Sequence, residues 1–544
     1  MTADARPGHS RYRYLLVGGS LVVLLFVALT LGASGQAAAA TTITTCTEIN
    51  ATNAPADGHV DLGGDITDSA ANPCLRINAS DIVLDGNGHT IDGTGSGTAV
   101  AINPASGRLS NVTVQHLVTT DWRESITALQ SDNITIVNVT TSPDRTGILI
   151  DDGSWIVIRD STITEGDTTL EFTDVTDGLV ENMTITGFRS TGVDTSGSAN
   201  VSVIGSTFRD APDGNQALRL NADGGQILNN TVSNLTDDTG GTGISVNGDG
   251  LEIRNNTIVD VTGGALNSFN NEGNTIADNV LRRAGRGLYV GGQSHTVTNN
   301  TITDSQRGLS LGEGSTVRPA GVRNVVRQNT MANNTENFDP SVFDPADVDG
   351  SNTVEGRPIH YVTETSDVMI NGSQPVGYVY AYGIDGLEVR DITLENASVT
   401  VSKSANVSIR NVTAFGDGEG IYLIDAVSTV LSDLDVDGWE FGLRLEQDDG
   451  ASNMTVTNST LTTTENDAYA HVRSATERAL YARGIQSLTV SNTTVVAGDS
   501  DVGMDLTSTE NASVSGNDVA ASSVRHPGRW RDDECLDLEQ YCHV

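Results

Sequence analysis

The stretch Gly243-Ile-Ser-Val246 followed by Leu251-Glu-Ile-Arg-Asn-Asn-Thr-Ile258 recurs almost at once. It returns as Gly264-Ala-Leu266 with Asn274-Thr-Ile-Ala-Asp-Asn-Val-Leu281, and again as Gly287-Leu-Tyr-Val290 with His295-Thr-Val-Thr-Asn-Asn-Thr-Ile302. A further copy starts at Gly308-Leu-Ser-Leu311. A period of about 22 residues is the mark of a repeat architecture. Alternation such as Ile253 to Ile258 fits a strand with one buried face. Strands this short cannot bury that face alone, so successive repeats must stack, with a column of Ile, Val and Leu inside and a backbone ladder along the axis.

The same pattern extends in both directions. Upstream are Asn133-Ile-Thr-Ile-Val-Asn-Val139, Gly147-Ile-Leu-Ile150 with Trp155-Ile-Val-Ile158, and Gly178-Leu-Val180 with Met183-Thr-Ile185. Downstream are Gly420-Ile-Tyr-Leu423, Gly442-Leu-Arg-Leu445 with Met454-Thr-Val456, and Gly503-Met-Asp-Leu506 with Ala512-Ser-Val514. The predicted fold is all-β: a right-handed parallel β-helix solenoid over 74–519, with an N-terminal cap over 41–73. At this period the body holds roughly 17 to 20 coils, a rod of roughly 80 to 95 Å at the spacing of hydrogen-bonded strands.

Composition supports an exported protein for a salty medium. The chain of 544 residues carries Asp plus Glu 70 against Lys plus Arg 30, a formal net charge of -40, and Lys403 is its single lysine. Self-repulsion of this size is relieved where concentrated salt screens exposed charges, which points to a halophilic, archaeal source. Nucleic acid is disfavoured as a partner, because its phosphate backbone demands positive charge.

Arg6, Arg11 and Arg13 precede an apolar run from Tyr14 to about Ala33, and Gln36-Ala37-Ala38-Ala39-Ala40 follows. This order reads as a secretory signal over 1–40, with an uncleaved N-terminal membrane anchor as the alternative. Cys46 and Cys74 flank the first exported segment, while Cys535 and Cys542 lie in an acidic tail over 520–544. Two local disulfides are the simplest of three connectivities in an oxidising compartment.

Many asparagines match the glycosylation acceptor pattern, including Asn133, Asn138, Asn182, Asn234, Asn255, Asn299, Asn411, Asn453 and Asn458. The competing reading places asparagines at coil corners in left-handed conformations, hydrogen-bonded to neighbouring backbone as a ladder along the stack.

The segment Ile77-Asn-Ala-Ser-Asp-Ile-Val-Leu-Asp-Gly-Asn-Gly-His-Thr-Ile-Asp-Gly93 predicts a tight turn at Asp85-Gly86-Asn87-Gly88, marking entry into the regular coils. Cys74-Leu-Arg-Ile77 with Leu84-Asp-Gly-Asn-Gly-His-Thr-Ile-Asp-Gly93 resembles the start of exported haloarchaeal β-helix proteins. These are related to the periplasmic copper-binding family of nitrous-oxide reductase maturation and to carbohydrate-binding and sugar-hydrolase β-helices. Gly356-Arg-Pro-Ile-His-Tyr-Val362, Tyr378-Val-Tyr-Ala381 and Gly386-Leu-Glu-Val-Arg-Asp-Ile-Thr-Leu394 resemble the interrupted coil of that family. The resemblance spans about 41–519, specifies fold and lineage, and is the sole reason to consider copper. His59, His89, His116, His295, His360 and His471 are scattered, with no ligand set among them.

Between Asn337 and Gln374 the repeat fails, and Pro340, Pro345, Pro358 and Pro375 predict a long excursion before the coil resumes near Gly377. It is either a binding face or a loop covering the rod's side. The strongest side-chain constellation lies beyond it: Asp417, Glu419, Asp435, Asp437, Trp439, Glu440, Arg444 and Glu446. Positions one coil apart stack, so Glu419 is expected near Glu440, with Trp439 available to a sugar face and Arg444 to a carboxylate. The same residues suit a solvated ion-pair strip, and acidic neighbours are common in so acidic a chain.

The signatures of polygalacturonase-like and alginate-epimerase β-helices are missing. Two function classes remain. One is noncatalytic recognition of a glycan, matrix or cell-envelope partner, with Ca²⁺ as a candidate cofactor. The other is calcium-assisted lyase or acid-base hydrolase chemistry on an acidic polysaccharide.

Overall fold

The computed structural model describes residues 41–544 except 212, 237–239, 313–322, 342–344, 417–418, 439, 449–451, 464–476, 499–501, 521–522, 526–540 and 543–544. The expected signal or anchor over 1–40 therefore lies outside the described residues, as do Asp417, Trp439, His471 and Cys535.

Each repeat closes into one coil of about three short strands, and like strands of successive coils pair in parallel. About 19 turns stack into an all-β parallel solenoid, with no helix among the described residues. Three inward columns make the core. One runs Leu218, Ile244, Leu266, Leu288, Leu309, Phe338 in strict register. The second runs Ile227, Ile253, Ile276, Val297, Val326, Val348. The third runs Val232, Ile258, Leu281, Ile302, Met331, Val354. All are buried. Period-two alternation aims these residues inward, and parallel register puts like on like, so one apolar column serves every coil.

The corners divide the work of the Asn-Asn-Thr sequences. The first asparagine turns the chain: Asn229, Asn255 and Asn299 have φ of 57°, 56° and 56°, the left-handed region that Asn tolerates better than most residues. The next asparagine points inward. Asn230, Asn256, Asn279, Asn300, Asn329 and Asn352 form a buried ladder in which each Nδ2 from Asn230 to Asn329 donates to the Oδ1 one coil on, at 2.9–3.0 Å. Each Oδ1 from Asn256 to Asn352 also accepts the backbone N–H of the preceding asparagine. Each Nδ2 also reaches a backbone carbonyl, such as that of Ile253 from Asn279 at 3.0 Å. The amides are thus satisfied without water, the condition for burying them.

Cys46 and Cys74 are bridged. The stretch expected as a cap is built in the solenoid's own register: Thr41–Ile43 pairs with His59–Leu62, and His59–Leu62 with Ile82–Asp85, all in parallel. The Asp85-to-Gly88 turn is a coil corner, since its flanking strands pair with the next coil and not with each other. A Cβ on Gly86 would lie 2.6 Å from the His116 carbonyl oxygen, so glycine is required there by close approach. At the other end, Tyr541–Cys542 adds a parallel strand against Asp518–Ala520, so part of the tail joins the stack.

The interruption is sharper than the prolines imply. The first part ends at Glu336–Asp339, Asp347–Val348 and Thr353–Val354. Thr353–Val354 then pairs antiparallel with Arg357–Thr363, the one antiparallel pairing among the described residues. Regular parallel strands resume there: Arg357–Thr363 pairs with Tyr378–Tyr382, and Ser366–Asn371 with Asp385–Glu395. The regular coil therefore restarts at Arg357, before the expected Gly377. The coil at 357–371 has no glycine at its tight corner and bears Pro358, His360 and Tyr361, which conceal the repeat. Aromatic packing joins the two parts: Phe338 meets Tyr378 edge-on at 5.3 Å, Tyr361 stacks on Tyr380 at 4.2 Å, and the Tyr380 hydroxyl donates to the Ser341 carbonyl at 2.8 Å.

Candidate functional site

One strand of each coil carries an outward-inward pattern, seen in Glu419-Gly420-Ile421-Tyr422-Leu423 and Phe441-Gly442-Leu443-Arg444-Leu445. Ile421, Leu423, Leu443 and Leu445 fill the core, which leaves Glu419, Tyr422 and Arg444 on the outer face. Gly420 permits the tight corner, since a Cβ there would meet the Val436 side chain at 2.2 Å and the Gly442 carbonyl oxygen at 2.6 Å. Tyr422 and Arg444 are in direct register, as are Glu419 and Phe441.

These residues form one wall of a cavity of about 420 Å³ where the two parts of the solenoid meet. The first part contributes Arg307, Glu336 and Asp339; the second contributes Tyr378, Thr400, Glu419, Tyr422, Glu440 and Arg444. The volume is in the range of small-ligand sites.

Arg444 is the centre of the wall. Its guanidinium binds Glu419 and lies 3.2 Å from Glu446, and it sits 4.4 Å above the Tyr422 ring and 5.0 Å from that of Phe441, cation–π geometry. Glu446 is buried, and it also accepts the Tyr422 hydroxyl at 3.1 Å and faces Arg483 at 3.4 Å. Across the cavity Arg307 pairs with Glu336 at 3.1 Å.

Burial shapes the charges. It pushes the Glu419 carboxyl up to about 7, against the pull of Arg444 and with help from Glu440 and Asp339. Asp339 is raised by burial too, opposed by Arg307 and Arg286. Burial raises the Tyr422 hydroxyl as well. For Arg444, burial disfavours the cation, yet Glu419, Tyr422 and Glu446 outweigh it and hold the proton more firmly than usual. The cavity thus pairs fixed cations with carboxyls poised to carry protons.

The expected strip is only partly assembled. Glu419, Glu440 and Arg444 line the cavity, and Glu446 supports Arg444 from behind. Asp435 and Asp437 lie on Val427–Asp437 of the other ladder, flanking the buried Val436, and do not line the cavity. Arg307, Glu336, Asp339 and Tyr378 were not anticipated. Arg307 does carry a sequence signal, because Arg307-Gly308-Leu309-Ser310-Leu311 has the same pattern as the strand holding Glu419.

A copper or calcium ion would need several ligating side chains brought to one point. Among the described residues no group of three or more His, Cys, Asp and Glu is placed to hold a metal ion. His59, His89 and His116 each face an aspartate, at 3.7, 3.2 and 3.1 Å. His295 is fully buried in a second corner row between Asn274 and Asn324, its Nδ1 accepting the Asn274 N–H, its own N–H donating to the Asn324 amide oxygen and its Nε2 donating to the Gly291 carbonyl. His360 reaches the Pro375 carbonyl at 3.2 Å. These residues do not fit a copper centre.

The model of the right-handed β-helix region family matches residues 98–234 and 191–374, which together span just over half of the chain. The protein belongs to that family. The model described as periplasmic copper-binding protein (NosD) matches 351–528, the part that begins with the antiparallel join. No curated protein matches. Among solved structures, an alginate lyase in complex with G6 is similar at 11% identity, covering 79% of this chain and 88% of its own, with a TM-score of 0.30. The tailspike protein of E. coli bacteriophage HK620 in complex with a pentasaccharide is similar at 10% identity, covering 84% and 74%, with a TM-score of 0.28.

Proposed function

We infer that this is a secreted or cell-surface protein of a halophile that recognises a glycan in the cavity between the two parts of its solenoid. The observation that carries the reading is the cavity wall itself. Arg444 is clamped between Tyr422, Phe441, Glu419 and Glu446, beside Tyr378 and opposite Arg307, on rigid strands of stacked coils. Such a wall offers fixed donors, carboxyl acceptors and aromatic edges, the groups that read sugar hydroxyls and ring faces. Strands on both sides hold these groups without reorganisation on binding, which favours affinity. Retention of one member of a panel of neutral and acidic polysaccharides, in concentrated salt and without new chain ends, tests it. Retention unchanged in Arg444→Ala would overturn it.

A second reading, acid-base cleavage of the bound glycan, is favoured by one observation: a carboxyl raised to about 7 suits a general acid at neutral pH. Hydrolysis would release reducing ends, and Glu419→Gln would retain the glycan while abolishing them. The calcium-assisted lyase reading gains no support, because no candidate ion-binding cluster is found among the described residues.

A further inference from the structure

The outer corner row from Asn111 to Asn200 carries polar side chains with one exception, before it continues through Gly224, Gly250 and Gly273. Asn111, Asn133, Asp177 and Asn200 occupy it with φ of 57°, 52°, 58° and 53°. Register places Trp155 between Asn133 and Asp177, because Ser154 pairs with both Asp132 and Thr176 and Ile156 with Gly178. Trp155 holds φ of 58° and leaves 64% of its surface exposed. A bulky residue in the left-handed region is an outlier that costs stability, and such strain persists where the side chain is used. Nothing in packing requires an indole here.

Two features prepare the position. Along the row, Asn111 donates to Asp81, Asn133 to Asn111, and Asn200 to Asp177. Among the described residues no hydrogen bond of this kind runs from Trp155 to Asn133, so the side-chain amide oxygen of Asn133, one coil before the indole, is left to another donor. Meanwhile the backbone before Trp155 is held firmly. The Ser154 N–H and hydroxyl both donate to Asp132, at 3.0 and 2.6 Å. Arg108 locks Asp132 to Asp152, at 2.8 and 2.7 Å.

We propose that Trp155 is the platform of a second glycan site, taking the apolar face of a neutral pyranose. A protein partner would call for a contiguous apolar patch, whereas this single flat ring is flanked in register by the amide of Asn133 and the carboxylate of Asp177. That combination matches a sugar, with C–H groups on the ring face and hydroxyls at the edge. Asp132, Asp152 and Asp177 oppose an acidic glycan, since Arg108 is already committed to two of them. The site lies on a coil seven steps before that of Arg307, on the order of 34 Å along the axis at the usual strand spacing. It is therefore separate from the junction cavity.

The test uses the full chain carrying Tyr422→Ala and Arg444→Ala, so that the cavity does not contribute, passed over immobilised cellohexaose, mannohexaose and xylohexaose in concentrated salt. At least one is retained, and retention falls about tenfold or more in Trp155→Asn, the loss of roughly one ring-stacking contact. Trp155→Phe retains most of it. The melting temperature of Trp155→Asn rises, because asparagine relieves the left-handed strain. The proposal is overturned if none of the three is retained, if Trp155→Asn binds like its parent, or if that variant melts lower.

Discussion

The corner ladder of the first part and the cavity wall of the second use the same coil for opposite ends. In the first part, six stacked asparagines make one continuous buried chain, each amide bonded to the next. In the second, the same corner holds Ile392, Val412 and Leu434 in register and then Ser459, which acts locally: its hydroxyl accepts from Leu434 N–H and donates to the Thr457 carbonyl, as Ser404 at another corner does for Ile384 N–H and the Ser402 carbonyl. Identical residues on successive coils give mutual satisfaction and rigidity. Where the outward rows stop repeating, as from Tyr422 to Arg444, unlike groups meet and a site can form.

The contrast can be broken most forcefully at the ladder. Asn279→Ala removes the acceptor of the Asn256 N–H and amide, takes the side-chain donor from the Ile253 carbonyl, and leaves the Asn300 amide oxygen with the backbone N–H alone. Its expected cost is about 4 kcal/mol, from several unsatisfied buried groups, and thermal unfolding measures it. Ser404→Ala should cost only about 1 to 2 kcal/mol by the same measure. Equal losses would mean that coupling between coils adds nothing.

Gly420→Ala comes next, at about 2 kcal/mol, because its Cβ collides with backbone as well as with Val436. Glycan retention should fall with it, since Glu419 and Tyr422 flank the distorted corner.

Glu419 supplies a smaller, pH-dependent effect. Its carboxyl is raised from an ordinary 4.5 to about 7 in the folded chain, so the folded state binds the proton more tightly. This contribution favours folding below the ordinary value and is lost as pH rises through about 7. Glu419→Gln should therefore flatten that segment of the stability curve and melt higher than the native chain above pH 7. A Gln variant melting lower there would show that the ionised pair with Arg444 is net stabilising.

The smallest effect belongs to the exposed corners. Asn299→Ala loses a left-handed residue and an exposed hydrogen bond to Asp278, about 0.5 to 1 kcal/mol, whereas Asn299→Gly should be close to neutral.

Much of the fold was legible because a 22-residue repeat announces itself many times over. The inward Ile and Val columns, the left-handed corner asparagines and the Cys46–Cys74 bridge all follow from local pattern. The restart at Arg357 was hidden, because its coil lacks the glycine and carries Pro358 and Tyr361. Of the candidate strip, the residues sharing the strand pattern with Gly420 and Gly442 came together. Asp435 and Asp437 did not, because alternation about Val436 turns them outward on a different ladder.

By itself, then, the chain's periodicity determined that stacked parallel coils must form, since no single repeat can bury its apolar face. Only the tertiary structure decided which outward side chains meet. An antiparallel join at Thr353 to Pro358 resets the register, and with it Arg307, Glu336 and Asp339 come to face Arg444 and Glu419. No local spacing encodes that encounter, because it depends on how two stacks dock through Phe338, Tyr378 and Tyr380.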